Sequence, residues 1–169
     1  MNTRLQDLPN LLRVGEKCRR QLRLSRQQII DFANLTGDLN PLHHDTLAAQ
    51  RADFGEIIAC GQHTVSLLIG LVASHFAQPG ESGPREVLCL NFNFAFKAPV
   101  FADQTLSLAW TVMAVDPSAR QSGWIAQVDG LASIAGRACV IGRGTLLVRQ
   151  PGSGDGAPAT EPGGLDAAE

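Results

Sequence analysis

An aspartate and a histidine five residues apart, Asp38 and His43, are the residues of this chain best suited to acid and base chemistry. Gly37, Asn40 and Pro41 interrupt the segment that holds them, and residues of these types break helices and form turns. Side chains five positions apart diverge on a continuous helix, whereas a turn allows both to face one pocket. The spacing therefore predicts an acid and base pair on a loop. The alternative is that Asp38 caps a turn and His43 caps the next helix.

Two helices are predicted to hold this loop. Ser25 followed by Gln28 is a capping-box pattern that opens the first helix, and Gly37 ends it. Beyond the loop, Asp45 is placed to cap a short helix over Thr46 to Arg51. The loop is therefore anchored at both of its ends.

A longer helix is predicted from Gly61 to about Ala77, because apolar residues there recur around much of the helix circumference. Such a helix must be enclosed by other elements. Its apolar residues are Val65, Leu67, Leu68, Ile69, Leu71, Val72 and Phe76.

The rest of the chain is predicted to be mainly strands. Residues Val87 to Lys97 alternate, with Leu88, Leu90, Phe92, Phe94 and Phe96 on one face, as in a half-buried strand. Turns at Ala102-Asp103 and Asp116-Pro117 help to divide the remaining strands. The other predicted strands are Lys17–Leu24, Thr105–Val115, Gly123–Leu131 and Ile134–Val148. The pattern favours an α+β fold in which an antiparallel sheet wraps around one long central helix.

Size and charge limit the classes of function. A chain of 169 residues, 44% hydrophobic, is predicted to form one domain over residues 1–150. Residues 151–169 contain a single large apolar residue, Leu165, and are predicted to be a disordered Gly/Pro/Ala-rich tail. A net charge of −2 provides no basic surface, so nucleic acid is not expected as a partner.

Compartment is predicted from cysteine usage and hydropathy. The four cysteines include no CxxC pair, which favours reduced thiols and an intracellular protein. No targeting segment is evident near Met1, and the most apolar stretch, Thr64 to Phe76, is shorter than the roughly 20 residues that span a bilayer. We therefore expect a cytoplasmic protein without a membrane partner.

Three segments of the chain resemble the MaoC-like, (R)-specific enoyl-CoA hydratases. They are the run from Phe32 to His43, the sequence from Ile58 to Gly61, and the run from Phe94 to Phe101. The resemblance covers about residues 14–149. It implies the hotdog fold and a homodimer in which two sheets form one continuous surface.

The resemblance also implies hydration of a trans-2-enoyl-CoA to the (R)-3-hydroxyacyl-CoA, or the reverse dehydration. Asp38 and His43 are then the catalytic residues that hold the water, with Asp38 as the base and His43 positioning water and relaying the proton. Gly61, at the start of the long helix, is expected to bind the thioester oxygen through its backbone N–H; alternatively it only allows a tight turn. Asn40 is a supporting residue, and no cofactor is implied beyond the coenzyme A of the substrate.

Other polar residues are given lesser roles. His44 is expected to face solvent, and His63 and His75 lack a neighbouring Cys or carboxylate at ligand spacing, so no metal site is predicted. The chain departs from the family pattern at Cys60, where many relatives have His, and at Ile69, where a hydroxyl is common. Cys60 is expected to pack as a small apolar residue.

Two other functions remain open from the sequence. A hotdog acyl-CoA thioesterase would direct water to the carbonyl carbon, and a non-catalytic acyl-CoA-binding protein would need no acid and base pair. The presence of both Asp38 and His43 favours the hydratase. Acyl chain length and the pathway do not follow from the residues. Coenzyme A is preferred over acyl carrier protein as the carrier, because an acidic carrier protein would favour a basic rim and no such cluster is evident.

Overall fold

The computed structural model describes residues 11–80, 83–120 and 122–152. Five strands and three α-helices follow one another along this part of the chain. They are β1 (Lys17–Leu22), α1 (Arg26–Thr36), α2 (Thr46–Arg51), α3 (Gly61–Phe76), β2 (Glu86–Phe96), β3 (Leu106–Pro117), β4 (Trp124–Ile134) and β5 (Arg137–Arg149).

The strands form one antiparallel sheet in the order β1-β3-β4-β5-β2, and α3 packs against all five of them. A sheet that contacts one helix along its whole width must curve around that helix, which is the predicted α+β architecture. Leu68, Val72 and Phe76 form the face of α3 that is buried against the sheet. Burial of this apolar face is the main force that holds the sheet and the helix together.

Trp110 of β3 fixes the position of α3 over the sheet. Its indole Nε1–H donates to the carbonyl of Leu68 at 2.7 Å, so this buried polar atom is satisfied within the core. The rings of Phe92 and Phe94 of β2 surround Trp110 at centroid distances of 5.6 and 6.3 Å. Glycine lies directly opposite each of these rings on the neighbouring strand, where a Cβ would come within 3 Å of ring carbons; the pairs are Trp110–Gly130, Phe92–Gly144 and Phe94–Gly142.

The predicted helix boundaries are close to the observed ones. Ser25 and Gln28 form the capping box at α1, and Gly37 ends this helix with a left-handed φ of 69°. Asp45 caps α2 by accepting from the backbone N–H of Leu47 at 2.8 Å. These caps are local interactions, which is why the sequence pattern predicted them.

Two predicted strand boundaries are wrong. Ile134 ends β4 and does not begin β5, because Ala135 and Gly136 both take positive φ, 49° and 81°, and make a tight two-residue hairpin turn. The turn expected at Asp116-Pro117 comes later, since β3 continues to Pro117, opposite Trp124. Pro117 is tolerated there because it is the last residue of the strand.

The uniform alternation predicted for β2 is also wrong, because the strand contains a bulge. Its register against β5 shifts between Cys89 and Asn91, which leaves Leu90 as an extra residue. Phe92 packs against the core, whereas Leu88, on the other side of the bulge, points to the opposite face and is 44% exposed. Because of the bulge, the alternating positions that face the core before Leu90 are not the ones that face it after Leu90.

The described part of the chain ends soon after β5. Within the predicted tail at 151–169, residues 153–169 lie outside the described residues. Across the described ranges, no helix has both the length and the apolar character needed to cross a membrane.

Candidate active site

The loop after α1 is folded back by its own hydrogen bonds. The backbone N–H of Asp38 donates to the carbonyl of Ala33 at 2.9 Å, which closes the end of the helix around Gly37. Asn40 then accepts from the backbone N–H of Leu42 at 3.1 Å and starts a single 3-10 turn over Pro41–His43. The predicted turning role of Asn40 is the one observed.

This folding brings Asp38 and His43 together. Asp38 Oδ2 lies 3.5 Å from His43 Nε2, while Asp38 Oδ1 accepts from the backbone N–H of Asn40 at 3.2 Å. The side chains of Asp38 and His43 are 24% and 9% exposed, so the pair is sheltered and the carboxylate is still open to one side. The two residues expected to act together are therefore adjacent.

The His43 ring has a fixed orientation. Its Nδ1 lies 2.7 Å from the carbonyl oxygen of Ile58. Because a carbonyl can only accept, Nδ1 carries the hydrogen, and in the neutral ring Nε2 is left as an acceptor facing Asp38. Two acceptors 3.5 Å apart cannot bond to each other, but both can accept from one small donor such as water.

Cys60 lies beside this pair, a contact that the sequence did not predict. The residue is completely buried, and its Sγ, the Asp38 carboxylate and a His43 ring nitrogen all lie within 4.8 Å of one another. Burial, together with the charge of Asp38 and a hydrogen bond to it, raises the pKa of the Cys60 thiol to about 11. The thiol is therefore protonated near neutral pH and is unsuited to be a nucleophile. The sequence feature that could have indicated this contact was the position of Cys60 directly before Gly61.

Gly61 is the first residue of α3. Cys60 occupies the N-cap position but makes no side-chain hydrogen bond to the first turn, which leaves the positive end of the helix dipole without a side-chain cap. A Cβ on Gly61 would lie 2.5 Å from Cε1 of Phe96. Glycine therefore allows the Phe96 ring to pack directly against the start of α3.

His43 and Gly61 line one cavity of about 460 Å³, a size typical of small-molecule sites. Most of its other lining residues are apolar. They come from the segment before α3, the first turn of α3, the end of β2 with the segment that follows it, and β5. They are Phe54, Ile58, Ala59, Gln62, Thr64, Phe96, Lys97, Ala98, Pro99, Val100 and Val140. Among these lining residues, Lys97 is the one permanent cation.

Three other predicted features differ from expectation or fall outside the cavity. His44 is not directed freely into solvent: it is half-buried, and its Nε2 lies 2.8 Å from the carbonyl of Asp38, a contact that braces the loop. Ile69 is half-buried and is absent from the cavity lining, which instead includes Thr64. His63 stacks on Phe32 with ring centroids 4.3 Å apart, and burial lowers its pKa.

A second cavity, of about 430 Å³, lies near the far end of α3. Its charged groups form a structural network: the guanidinium of Arg85 donates to Glu16 Oε1 at 3.1 Å and to the carbonyl of Leu11 at 2.8 Å. His75 Nε2 contacts the same Glu16 oxygen at 2.7 Å. These partners tie the segment before β1 to the end of α3, so the cavity at His43 is the better candidate for chemistry.

Comparison with known proteins decides the family. Residues 11–128 match the family model described as MaoC like domain. The chain belongs to this family. It is 30% identical over 132 residues to the (R)-specific enoyl-CoA hydratase of Aeromonas caviae, an alignment that covers 76% of this chain and 94% of the relative.

The solved structure of the A. caviae (R)-hydratase, described as involved in PHA biosynthesis, superimposes with a TM-score of 0.68 at 28% identity. It covers 83% of this chain and 98% of that chain, which confirms the predicted hotdog fold. The ChsH1-ChsH2 complex from Mycobacterium tuberculosis matches with a TM-score of 0.68 at 20% identity, covering 80% of this chain and 98% of that one. At that identity the likeness shows the fold alone.

Relatives also include a 3-hydroxyacyl-acyl-carrier-protein dehydratase of Solanum lycopersicum, named FERN and mitochondrial. The identity is 29% over 92 residues, which cover 54% of this chain and 51% of that protein. The chain thus spans about half the length of this relative. Hydratase and dehydratase are the names that these relatives carry, and the predicted hydro-lyase class is confirmed at the level of the family.

Proposed function

We propose that this protein adds water across the double bond of a trans-2-enoyl-CoA to give the (R)-3-hydroxyacyl-CoA, and catalyses the reverse dehydration. The observation that carries the proposal is a pair of acceptors, Asp38 Oδ2 and His43 Nε2, that lie 3.5 Å apart where His43 lines the cavity. A water between them donates one hydrogen to each. Its lone pairs are then directed away from the pair and toward a substrate in the cavity.

In the proposed hydration, the water oxygen bonds to C3 of the substrate while Asp38 takes one of its protons. The electrons of the double bond move to the thioester oxygen and form an enolate. Asp38 returns its proton to C2 as the enolate collapses, so the enzyme ends in its starting state. His43 holds the other hydrogen of the water, and its Nδ1–H contact with Ile58 keeps Nε2 aimed at that water.

Charge on the enolate oxygen is stabilised at the N-terminus of α3. The backbone N–H of Gly61 supplies a donor, and the dipole of a 16-residue helix adds a positive potential at the same place. The uncapped first turn supports this assignment, because no side chain of Cys60 competes for the position. No metal and no cofactor beyond coenzyme A takes part in this scheme.

Coenzyme A is the proposed carrier because the cavity lining offers one exposed cation, Lys97, and not a broad basic rim. Lys97→Ala is expected to raise KM for an enoyl-CoA about tenfold, with kcat nearly unchanged. A truncated N-acetylcysteamine thioester, which lacks phosphates, is expected to show the same KM with both proteins. Equal KM values for the CoA thioester would contradict the assignment.

A homodimer formed through β2 is proposed from the sheet topology. β2 lies at one edge of the five-stranded sheet, and edge strands offer unpaired backbone groups to a second copy. Leu88, Leu90 and Phe96 of this strand are 44%, 50% and 60% exposed. Pairing of two β2 strands would extend the sheet and cover these side chains next to the cavity.

Leu90→Lys tests this interface by placing like charges against each other at the edge. Light scattering after gel filtration is expected to report a dimer for the wild type and a monomer for Leu90→Lys. Leu131→Lys, at a 40% exposed position of β4, is the matched control and should stay dimeric. A monomeric wild type, or a dimeric Leu90→Lys, would overturn the proposed interface.

The reaction itself is tested with crotonyl-CoA and a longer trans-2-enoyl-CoA. Loss of the enoyl-thioester absorbance, followed by chiral chromatography of the product, should yield the (R)-3-hydroxyacyl-CoA. Free thiol is measured in parallel, because its release with an intact double bond would identify a thioesterase instead. If the double bond stays intact and no free thiol is released, a non-catalytic acyl-CoA-binding protein is favoured. A cytoplasmic location stays a prediction, which fractionation of cells would check.

A further inference from the structure

Three side chains with different donor atoms lie close together beside the proposed water position. Cys60 Sγ, an oxygen of the Asp38 carboxylate and a nitrogen of the His43 ring all lie within 4.8 Å of one another. Cys60 and His43 are both buried, so neither side chain is an ordinary surface group. Catalysis as proposed uses the carboxylate and the imidazole and leaves the thiol without a function.

Thiolate, imidazole and carboxylate together are a donor set typical of zinc. In a tetrahedral zinc site, ligand atoms bonded at about 2.0–2.3 Å are separated from each other by roughly 3.3–3.7 Å. Asp38 Oδ2 and His43 Nε2 are 3.5 Å apart and already have this separation. Cys60 Sγ lies within 4.8 Å of a carboxylate oxygen of Asp38 and of a ring nitrogen of His43, so a modest side-chain movement would complete a three-ligand face.

His43 is also held as a metal-binding histidine usually is. Its Nδ1–H donates to the backbone carbonyl of Ile58 at 2.7 Å, an interaction that fixes the ring and leaves Nε2 free to bind. Because His43 lines the 460 Å³ cavity, a fourth ligand can come from water on that side. The cluster therefore has protein ligands on one side and an open position on the other.

The donors also determine which cations can bind. A cysteine sulfur binds a metal as the thiolate, so this cluster favours a cation with a strong preference for sulfur. Zn²⁺ and Cd²⁺ have this preference, whereas Mg²⁺ and Ca²⁺ bind oxygen and require more carboxylates than this cluster offers. On binding, the S–H proton passes to solvent and a sulfur–metal bond forms, with no change of oxidation state.

We propose that Asp38, His43 and Cys60 form an inhibitory binding site for a thiophilic divalent cation, Zn²⁺ or Cd²⁺, which displaces the catalytic water. Inhibition rests on the proposed hydratase function, whereas binding of the cation does not. The cation is not a cofactor in this scheme: it occupies the two acceptors that the water needs. A chain with Cys60 should thus be far more sensitive to zinc than one in which that thiol is absent.

The direct test is titration of the reduced protein with CdCl₂, because cadmium bound to a thiolate absorbs in the ultraviolet independently of enzyme activity. The wild type is expected to show a saturable band that is absent in Cys60→Ser and Cys60→Ala. Cys89→Ser, which removes the exposed thiol on β2, is the matched control and should retain the band. Circular dichroism establishes that each variant is folded.

Inhibition by ZnCl₂ is measured with crotonyl-CoA, and each variant is compared with its own rate without metal. We expect EDTA to reverse the inhibition, MgCl₂ to have no effect, and Cys60→Ser to require at least tenfold more zinc. His43→Gln keeps the thiol and should weaken cadmium binding at least tenfold, which provides a test even if the Cys60 variants do not fold. A cadmium band lost in Cys89→Ser but kept in Cys60→Ser would overturn the site. A Cys60-dependent band without hydratase activity would reject the proposed function alone.

Discussion

Replacement of Gly61 by alanine tests how closely Phe96 and the start of α3 are packed. The added Cβ would lie 2.5, 2.9 and 3.0 Å from three carbons of the Phe96 ring, whereas ordinary contacts begin near 3.4 Å. Overpacking by one methyl group costs typically 1–3 kcal/mol. Because the contacted atoms belong to a side-chain ring and not to the backbone, Phe96 can shift, and we expect the lower end, about 1 kcal/mol of lost unfolding free energy.

A double-mutant cycle isolates this contact. Urea unfolding is followed for wild type, Gly61→Ala, Phe96→Ala and the double variant, all at one protomer concentration since a dimer would make stability concentration-dependent. If the methyl group clashes with the ring, its cost disappears in the Phe96→Ala background, giving a coupling of about 1 kcal/mol. The same cost in both backgrounds would refute the packing argument.

Gly70 provides a matched control on the same helix. A Cβ at Gly70 would meet nothing within 4 Å, so Gly70→Ala should stabilise the helix by about 0.5–1 kcal/mol. Gly61→Ala is therefore expected to lower the unfolding free energy, whereas Gly70→Ala is expected to raise it. In activity assays, Gly61→Ala should lower kcat/KM roughly 10- to 100-fold, because the ring or the methyl group must displace the thioester from its site. Gly70→Ala, away from the cavity, should leave kcat/KM unchanged.

Three other predictions address the active site, the core and the effect of pH. His43→Ala should lower kcat/KM by about 10²–10⁴-fold, whereas His44→Ala, which removes only a brace on the loop, should cost about tenfold or less in the same assay. Trp110→Phe should lower the unfolding free energy in urea by about 2 kcal/mol, because it deletes the hydrogen bond to Leu68 and part of a buried ring; an unchanged midpoint would contradict this. Burial raises the pKa of Glu16, but hydrogen bonds from its two basic partners, His75 and Arg85, outweigh burial, so the pKa in the folded protein is lowered. The ionised Glu16 therefore stabilises the fold above the unfolded pKa of about 4.5. This stabilisation is lost as the pH falls below that value. Glu16→Gln should therefore destabilise the protein at pH 7, with a deficit that shrinks in acid unfolding series.

Features determined by neighbouring residues in the chain were predictable from the sequence. The capping box of Ser25, the left-handed Gly37 and the Asp45 cap are each specified within a few residues, and the structure has them where expected. The pairing of Asp38 with His43 is likewise local, since a turn of a few residues brings them to 3.5 Å. These features could be predicted because no distant contact is needed to form them.

Features that depend on distant contacts were not predictable from one sequence. Cys60 was expected to be a packing residue, and its contact with Asp38 exists because the segment before α3 crosses the loop. The bulge at Leu90 depends on the register of β5, and alternation within one strand contains no information on register. Ala135 takes a positive φ that alanine rarely adopts, so the hairpin turn had no local signal at its first position.

Hydration of crotonyl-CoA by Asp38→Asn, compared with the wild type, directly tests whether Asp38 is the base that activates water for hydration. Asn keeps the shape of the side chain but cannot take a proton from water. Asp31→Asn, at an exposed position of α1, is the control for the same chemical change. We expect the rate at which the enoyl absorbance is lost to fall at least 100-fold in Asp38→Asn and to be unchanged in Asp31→Asn, a size expected for loss of a general base. Wild-type rates in Asp38→Asn, or no hydration by the wild type at any acyl chain length, would contradict it.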